Sequence, residues 1–329
     1  MDTNIFELCD GRKLGIKAFE VVSLPMVASS GQNKEENCQR IAAQFMQFLT
    51  ELHRLCGYNT CLELLWITEK AHHQIFSSKI RIFSVLRKIG QNELQISNEL
   101  NNVQNNLISS LSSLQFNVQE IDTRKVAFAN LLKPMKDSCV FSIVKREKCI
   151  VNANSMYPYY FFEVIPNQNK NNFVSLVSAL SRQENCCVSF QLFPTQMTNE
   201  ERYFISETSA ELGRVASGIM LNRELYRDSF AAEPLKVYSY YNERRNSPMF
   251  MYNILAFGER PNCASLAAKL ISLLQSGDIK ITTSDFACLD LSNANIDLLK
   301  QFPYYVWNIN KIQLYDNRNQ KLQNSILLA

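Results

Sequence analysis

Cys61-Leu62-Glu63-Leu64-Leu65-Trp66-Ile67-Thr68 is followed, after a polar connection holding His72 and His73, by Ile80-Arg81-Ile82-Phe83-Ser84-Val85-Leu86. Both runs are dense in β-branched, aromatic and long aliphatic side chains, which suit a pleated, half-buried surface. They read as two strands paired in a long hairpin. Upstream, Leu14 to Ala28 has the same character and is interrupted at Pro25, so a strand precedes them. Between that strand and Cys61, the apolar positions Cys38, Ile41, Ala42, Phe45, Leu49, Leu52 and Leu55 recur every three or four residues as far as Gly57. That spacing predicts an amphipathic helix closed by a glycine.

Downstream, Leu100, Val103, Leu107, Leu111 and Leu114 form one stripe within Glu93 to Leu114, which predicts a long helix, and Phe116 to Ile121 alternates like a closing strand. The order is strand, helix, two strands, helix, strand. That is the split βαβ, ferredoxin-like arrangement, with an antiparallel sheet covered by helices on one face.

The second half repeats the logic. Tyr159 to Ile165 reads as a strand stopped by Pro166-Asn167, and Phe173, Leu176, Val177 and Leu180 mark a helix. Val188 to Phe193 is the next strand. Thr198-Asn199-Glu200-Glu201 resembles an N-cap with first-turn acids, opening a helix to about Val215. Pro248 to Phe257 reads as a strand and the Leu266, Leu270, Leu273, Leu274 stripe as a helix stopped by Gly277. Ile279 to Thr283 is a candidate last strand. The expected class is therefore α+β, with two tandem ferredoxin-like units: 1–130, a junction at 131–155, a second unit at 156–290, and an extension at 291–329. Residues 290–329 carry no clear period, and the apolar end Ile326-Leu327-Leu328-Ala329 looks like a cut edge, so the extension is read as a linker.

Composition limits the chemistry. The chain has 329 residues, 46% hydrophobic, long enough for two cores. Its net charge of +3 sits in residues 1–150, where 18 Lys and Arg face 15 Asp and Glu; residues 151–329 balance at 16 each. No polybasic arm for nucleic acid is present. The N-terminal sequence lacks a signal-peptide pattern and no run approaches the roughly 20 apolar residues of a membrane span, so the expectation is a cytoplasmic chain without a transmembrane segment. Ten cysteines with no CxxC pair, most within apolar stretches, read as reduced, buried small hydrophobes. GxxxxGK[ST], GxGxxG, GxSxG and HExxH are all missing.

No catalytic, cofactor or metal residues are therefore assigned. Adjacent His72 and His73 point in different directions on a regular element, and His53 reads as a helix-edge residue. Tyr238-Ser239-Tyr240-Tyr241-Asn242-Glu243-Arg244-Arg245 reads as a strand ending in a charged turn. Tyr240, Tyr241, Arg244 and Arg245 are the candidate binding surface, because aromatics stack on bases and arginines contact phosphates in single-strand binders. Nucleic acid is thus one candidate partner and an enzyme with a non-local site a further alternative.

Three segments carry a resemblance: Val188 to Thr195 leading to the helix start at Glu200, Pro248 to Gly258 leading to a small-residue helix, and Tyr304-Tyr305-Val306-Trp307-Asn308-Ile309-Asn310. Over about residues 155–315 the chain resembles the N-terminal, non-motor region of HerA/FtsK-superfamily ATPases of the type IV secretion-like, conjugation type. The resemblance implies a non-catalytic assembly module of a bacterial translocating ATPase, with a protein partner or self-association. Walker motifs are absent here, so ATP and Mg²⁺ would belong only to a longer parent protein.

Overall fold

A computed structural model of the chain describes residues 3–7, 11–23, 49–55, 60–70, 78–113, 116–122, 139–145, 147–151, 158–162, 178–221, 223–274, 286–290 and 325–327. Its first half contains β1 (Asn4–Glu7), β2 (Lys13–Ser23), β3 (Thr60–Lys70), β4 (Ser78–Gly90), α1 (Glu93–Ser113) and β5 (Asn117–Ile121). The second half contains β6 (Cys139–Lys145), β7 (Glu147–Ile150), β8 (Tyr159–Phe162), β9 (Cys187–Thr195), α2 (Asn199–Ser217), β10 (Ile219–Leu221) and β11 (Glu224–Tyr226). It continues with α3 (Ala232–Glu243), β12 (Met249–Gly258), α4 (Arg260–Leu274), β13 (Phe286–Asp290) and β14 (Ser325–Leu327).

The expected α+β class and antiparallel sheet are present. β3 and β4 form the long hairpin, paired from Thr60 opposite Lys88 to Lys70 opposite Ser78. One sheet, however, serves both halves. Its order is β1-β2-β4-β3-β9-β12-β6-β13, with β5 also on β2 and β14 also on β12, and every described pairing is antiparallel. Read from the outer edge to the centre, the first half runs β5-β2-β4-β3 and the second β13-β6-β12-β9. The two halves meet where β3 pairs β9, from Leu62 opposite Leu192 to Ile67 opposite Cys187. Each of these strands would otherwise be an open edge with unpaired backbone groups, so joining them satisfies both ladders.

α1 packs on β2, β4 and β5, and α4 on β6, β12 and β13. Both lie on the same face: Leu62 and Trp66, which share one side of β3 by the two-residue period, enter the cores under α1 and α4 respectively. Gly15 on β2 lets α1 approach closely, since a Cβ there would collide with Ile96 Cγ2 and come within 2.9 Å of Leu100 Cδ1. The opposite face is also buried; Leu65, Phe83, Val85, Leu255 and Phe257 form its core.

Some expectations need correction. The strand on the side of β12 away from β9 is β6, within the segment read as a junction, while Tyr159–Phe162 pairs with β7 in a separate two-stranded sheet. Tyr238 to Glu243, read as strand, belongs to α3. Its apolar positions Pro234, Val237, Tyr238 and Tyr241 are buried at helical spacing, so the Tyr238/Tyr240 alternation was coincident with a helical stripe. Pro234 is tolerated because it lies in the first turn, where N–H groups lack intrahelical partners. The apolar end supplies β14, paired with β12 from Met249 opposite Leu327 to Met251 opposite Ser325. Residues 37–48, His72, His73, Phe173 to Val177, Ile279 to Thr283 and Tyr304 to Asn310 lie outside the described residues.

Candidate docking site

Between β6 and β12 the chain builds an accessory layer. The β7–β8 hairpin, α2, the β10–β11 hairpin and α3 share a core that includes Phe161, Ile205, Leu212, Val237, Tyr238 and Met249. α2 begins where the sequence placed its cap: Glu201 N donates to Thr198 Oγ1 at 3.2 Å and Thr198 N donates to Glu201 Oε2 at 2.6 Å, a complete capping box. Two phenols lock the layer. Tyr159 OH donates to Asp228 Oδ2 at 2.7 Å in a buried contact, and Tyr238 OH donates to the Tyr160 carbonyl at 3.2 Å, fixing α3 against β8.

Where β8, α2 and α3 converge, a half-open cleft of about 270 Å³ remains. Pro158, Tyr159 and Tyr160 form one wall, Thr208, Glu211, Leu212 and Val215 of α2 another, and Pro234 and Tyr238 of α3 the floor. The lining is mostly apolar, with one carboxylate and one aliphatic hydroxyl; among the described residues it offers no nucleophile paired with a base. The layer also carries exposed apolar side chains. Nine large hydrophobic side chains are exposed among the described residues, and six of them (Val151, Tyr160, Tyr203, Met220, Leu225, Phe230) belong to the accessory layer. Such concentration marks contact surfaces more than scattered exposure does.

The four residues singled out from the sequence gather at the C-terminal end of α3. They are engaged mainly with one another and with the core. Tyr241 is buried and accepts a hydrogen bond from Lys145 Nζ at 3.3 Å. Tyr240 meets the Tyr241 ring edge-on at 5.7 Å, and the Arg244 guanidinium lies 4.1 Å over the Tyr240 ring. Arg244 also pairs with Glu243 at 3.4 Å, and Arg245 Nη1 donates to Asn242 Oδ1 at 2.5 Å. One face of Tyr240 is therefore already occupied, and one arginine is partly neutralised.

His53 sits in the helical segment 49–55. Its Nε2 lies 2.6 Å from the Thr195 carbonyl and its ring packs edge-on to Phe250, so it ties that segment to the end of β9. Among the described residues, Cys61, Cys186, Cys187 and Cys263 are buried and Cys139 partly so, as apolar context predicts, whereas Cys149 is exposed. Burial, helped by Glu259, pushes the Cys186 thiol up to about 11; burial likewise holds Cys187 well above the ordinary range. No three His, Cys, Asp or Glu side chains gather as metal ligands among the described residues. No described helix is long and apolar enough to cross a membrane.

A second feature escaped sequence reading: a buried polar row across the junction of the halves. Arg87 on β4 forms an ion pair with Glu63 on β3, both essentially without solvent exposure. Ser189 Oγ and Gln191 Nε2 on β9 donate to Glu63 Oε1 at 2.5 and 3.2 Å, and Asn253 Nδ2 on β12 donates to Gln191 Oε1 at 3.0 Å. These residues are spread over four strands, and only strand pairing brings them together. Fully enclosed, the row serves the sheet and has no access for a substrate. Neither a family model nor a curated protein matches the chain, so the functional reading rests on this geometry.

Proposed function

We propose that this chain is a non-catalytic assembly and partner-binding module. It is of the kind that the resemblance to HerA/FtsK-type translocating ATPases implies, and it acts in the cytoplasm. The observation that carries the reading is the accessory layer: it holds an apolar cleft without convergent catalytic groups among the described residues, and it carries most of the exposed large apolar side chains described. The repeated strand order, β5-β2-β4-β3 and β13-β6-β12-β9, with α1 and α4 on one face, supports reading the framework as two ferredoxin-like units fused edge to edge. In that framework the β6-to-β9 connection contributes the β7–β8 part of the accessory layer and the β9-to-β12 crossover the rest, as insertions.

Steady-state assays of the purified chain with Mg-ATP, together with single-stranded DNA titrations at rising salt, test the proposal. The expected outcome is no turnover above buffer and no salt-steep DNA binding. Hydrolysis that a substitution in this chain abolishes would refute it. So would a DNA affinity that falls steeply with salt and is lost in Arg244→Ala/Arg245→Ala.

A further inference from the structure

We infer that the accessory layer is a self-association surface in which the β10–β11 hairpin of one copy seats in the cleft of a second copy of this chain. The inference rests on the partner-binding reading above and names the partner and the contact.

The hairpin is the first part of the argument. Its register places Ile219 opposite Tyr226 and Met220 opposite Leu225. Ile219 and Tyr226 pack on the accessory core, so the two-residue period turns Met220 and Leu225 outward. An outward position on a surface hairpin is ordinarily polar. Here both members of the cross-strand pair are apolar and about two-thirds exposed, at 67% and 68%. Arg223, exposed in the turn at φ 69°, places a cation at the tip. The outward face of the hairpin thus presents an apolar pair with Arg223 at the tip, while the exposed Glu224 beside it alternates onto the other face.

The cleft offers the complementary set. Its walls are Pro158, Tyr160, Leu212 and Val215, and its charged group is the exposed Glu211 carboxylate. Thr208 is the remaining polar side chain of the α2 wall. An occupant with aliphatic side chains and one cation matches this lining, and the hairpin carries that set. Both surfaces lie on one layer of one chain, joined through the C-terminal end of α2, where Val215 lines the cleft and Ile219 starts the hairpin. A chain bearing complementary knob and cleft surfaces associates with copies of itself. The apolar pair supplies affinity, while Arg223 against Glu211 fixes register.

The test is sedimentation of the full chain over a wide concentration range, with Met220→Glu, Leu225→Glu, Glu211→Arg, Arg223→Glu and the double variant Glu211→Arg/Arg223→Glu. All four positions are exposed, and circular dichroism checks that each variant is folded. The wild-type chain is expected to self-associate reversibly. Each single substitution should weaken association at least tenfold, and the double charge swap should return it to within about threefold of wild type. Wild-type chain that stays monomeric up to hundreds of micromolar overturns the inference. Association indifferent to Met220→Glu and Leu225→Glu, or a double variant no better than its parents, also overturns it. None of these outcomes touches the non-catalytic reading, which turnover alone would defeat.

Discussion

Removing one member of the Glu63–Arg87 pair should be among the most damaging single changes available to this chain. The pair is enclosed in the sheet, and Glu63 Oε1 additionally accepts from Ser189 and Gln191 across the junction. Arg87→Met leaves a buried carboxylate without its cation, a loss of about 3–5 kcal/mol. Glu63→Leu leaves the guanidinium buried and also removes the acceptor for two donors. Those donors add about 1–3 kcal/mol each, since unsatisfied buried groups lose their hydration without return. Additivity would place the double variant Glu63→Leu/Arg87→Met roughly 8–16 kcal/mol below wild type, comparable with the whole stability of a domain. The structure predicts far less. With both charges gone, apolar side chains of similar volume fill the space and only Ser189 and Gln191 remain short of an acceptor. A net loss of about 1–4 kcal/mol is expected, and a coupling energy of several kcal/mol. Urea denaturation of the four proteins, followed by circular dichroism and Trp fluorescence, measures the cycle. A single variant costing less than about 1 kcal/mol, or a double variant as damaged as the sum, would refute the reasoning.

Three other outcomes are expected. Gly15→Ala should lower stability by about 1–3 kcal/mol in thermal melts, because the new methyl group collides with Ile96 and Leu100 beneath α1. Thr198→Ala should lose about 1 kcal/mol by removing one half of the capping box on α2, and Thr198→Ser should lose little. With a thiol reagent at pH 8, mass spectrometry should find Cys149 modified rapidly while Cys186 and Cys187 stay protected until the chain unfolds. The first is exposed, whereas the other two are buried and held above the ordinary thiol range, so that the thiolate fraction falls further below that of a free cysteine.

Local patterns carried most of the framework. The β3–β4 hairpin, the α1 stripe from Leu100 to Leu111, the Thr198 cap and the β12 run are where period and capping chemistry put them. The readings that failed did so where two periods coincide or where a signal is short. Tyr238 and Tyr240 alternate as a strand would, yet Pro234, Val237, Tyr238 and Tyr241 satisfy a helical stripe as well, and packing against β8 decides between them. β6 is seven residues in a segment with charged neighbours, and its strand character comes from pairing with β12 and β13. The candidate residues at the end of α3 drew notice by composition, but composition does not reveal that Tyr241 is buried or that Arg244 lies on Tyr240. The cleft left no trace in the sequence, because its walls come from three segments separated by tens of residues.

The amino-acid sequence on its own determined the β3–β4 hairpin, α1, the start of α2 and β12, since side-chain period and end-capping act over a few residues. It also excluded the common phosphate-loop and nucleophile motifs. Only the tertiary structure decided that β3 meets β9 in one shared sheet, that Glu63 finds Arg87, Ser189 and Gln191, and that Met220 and Leu225 face outward beside an apolar cleft. Those outcomes depend on which backbone edges and side-chain faces remain to be satisfied after the local elements have formed, and that is settled by contacts between residues far apart in the chain.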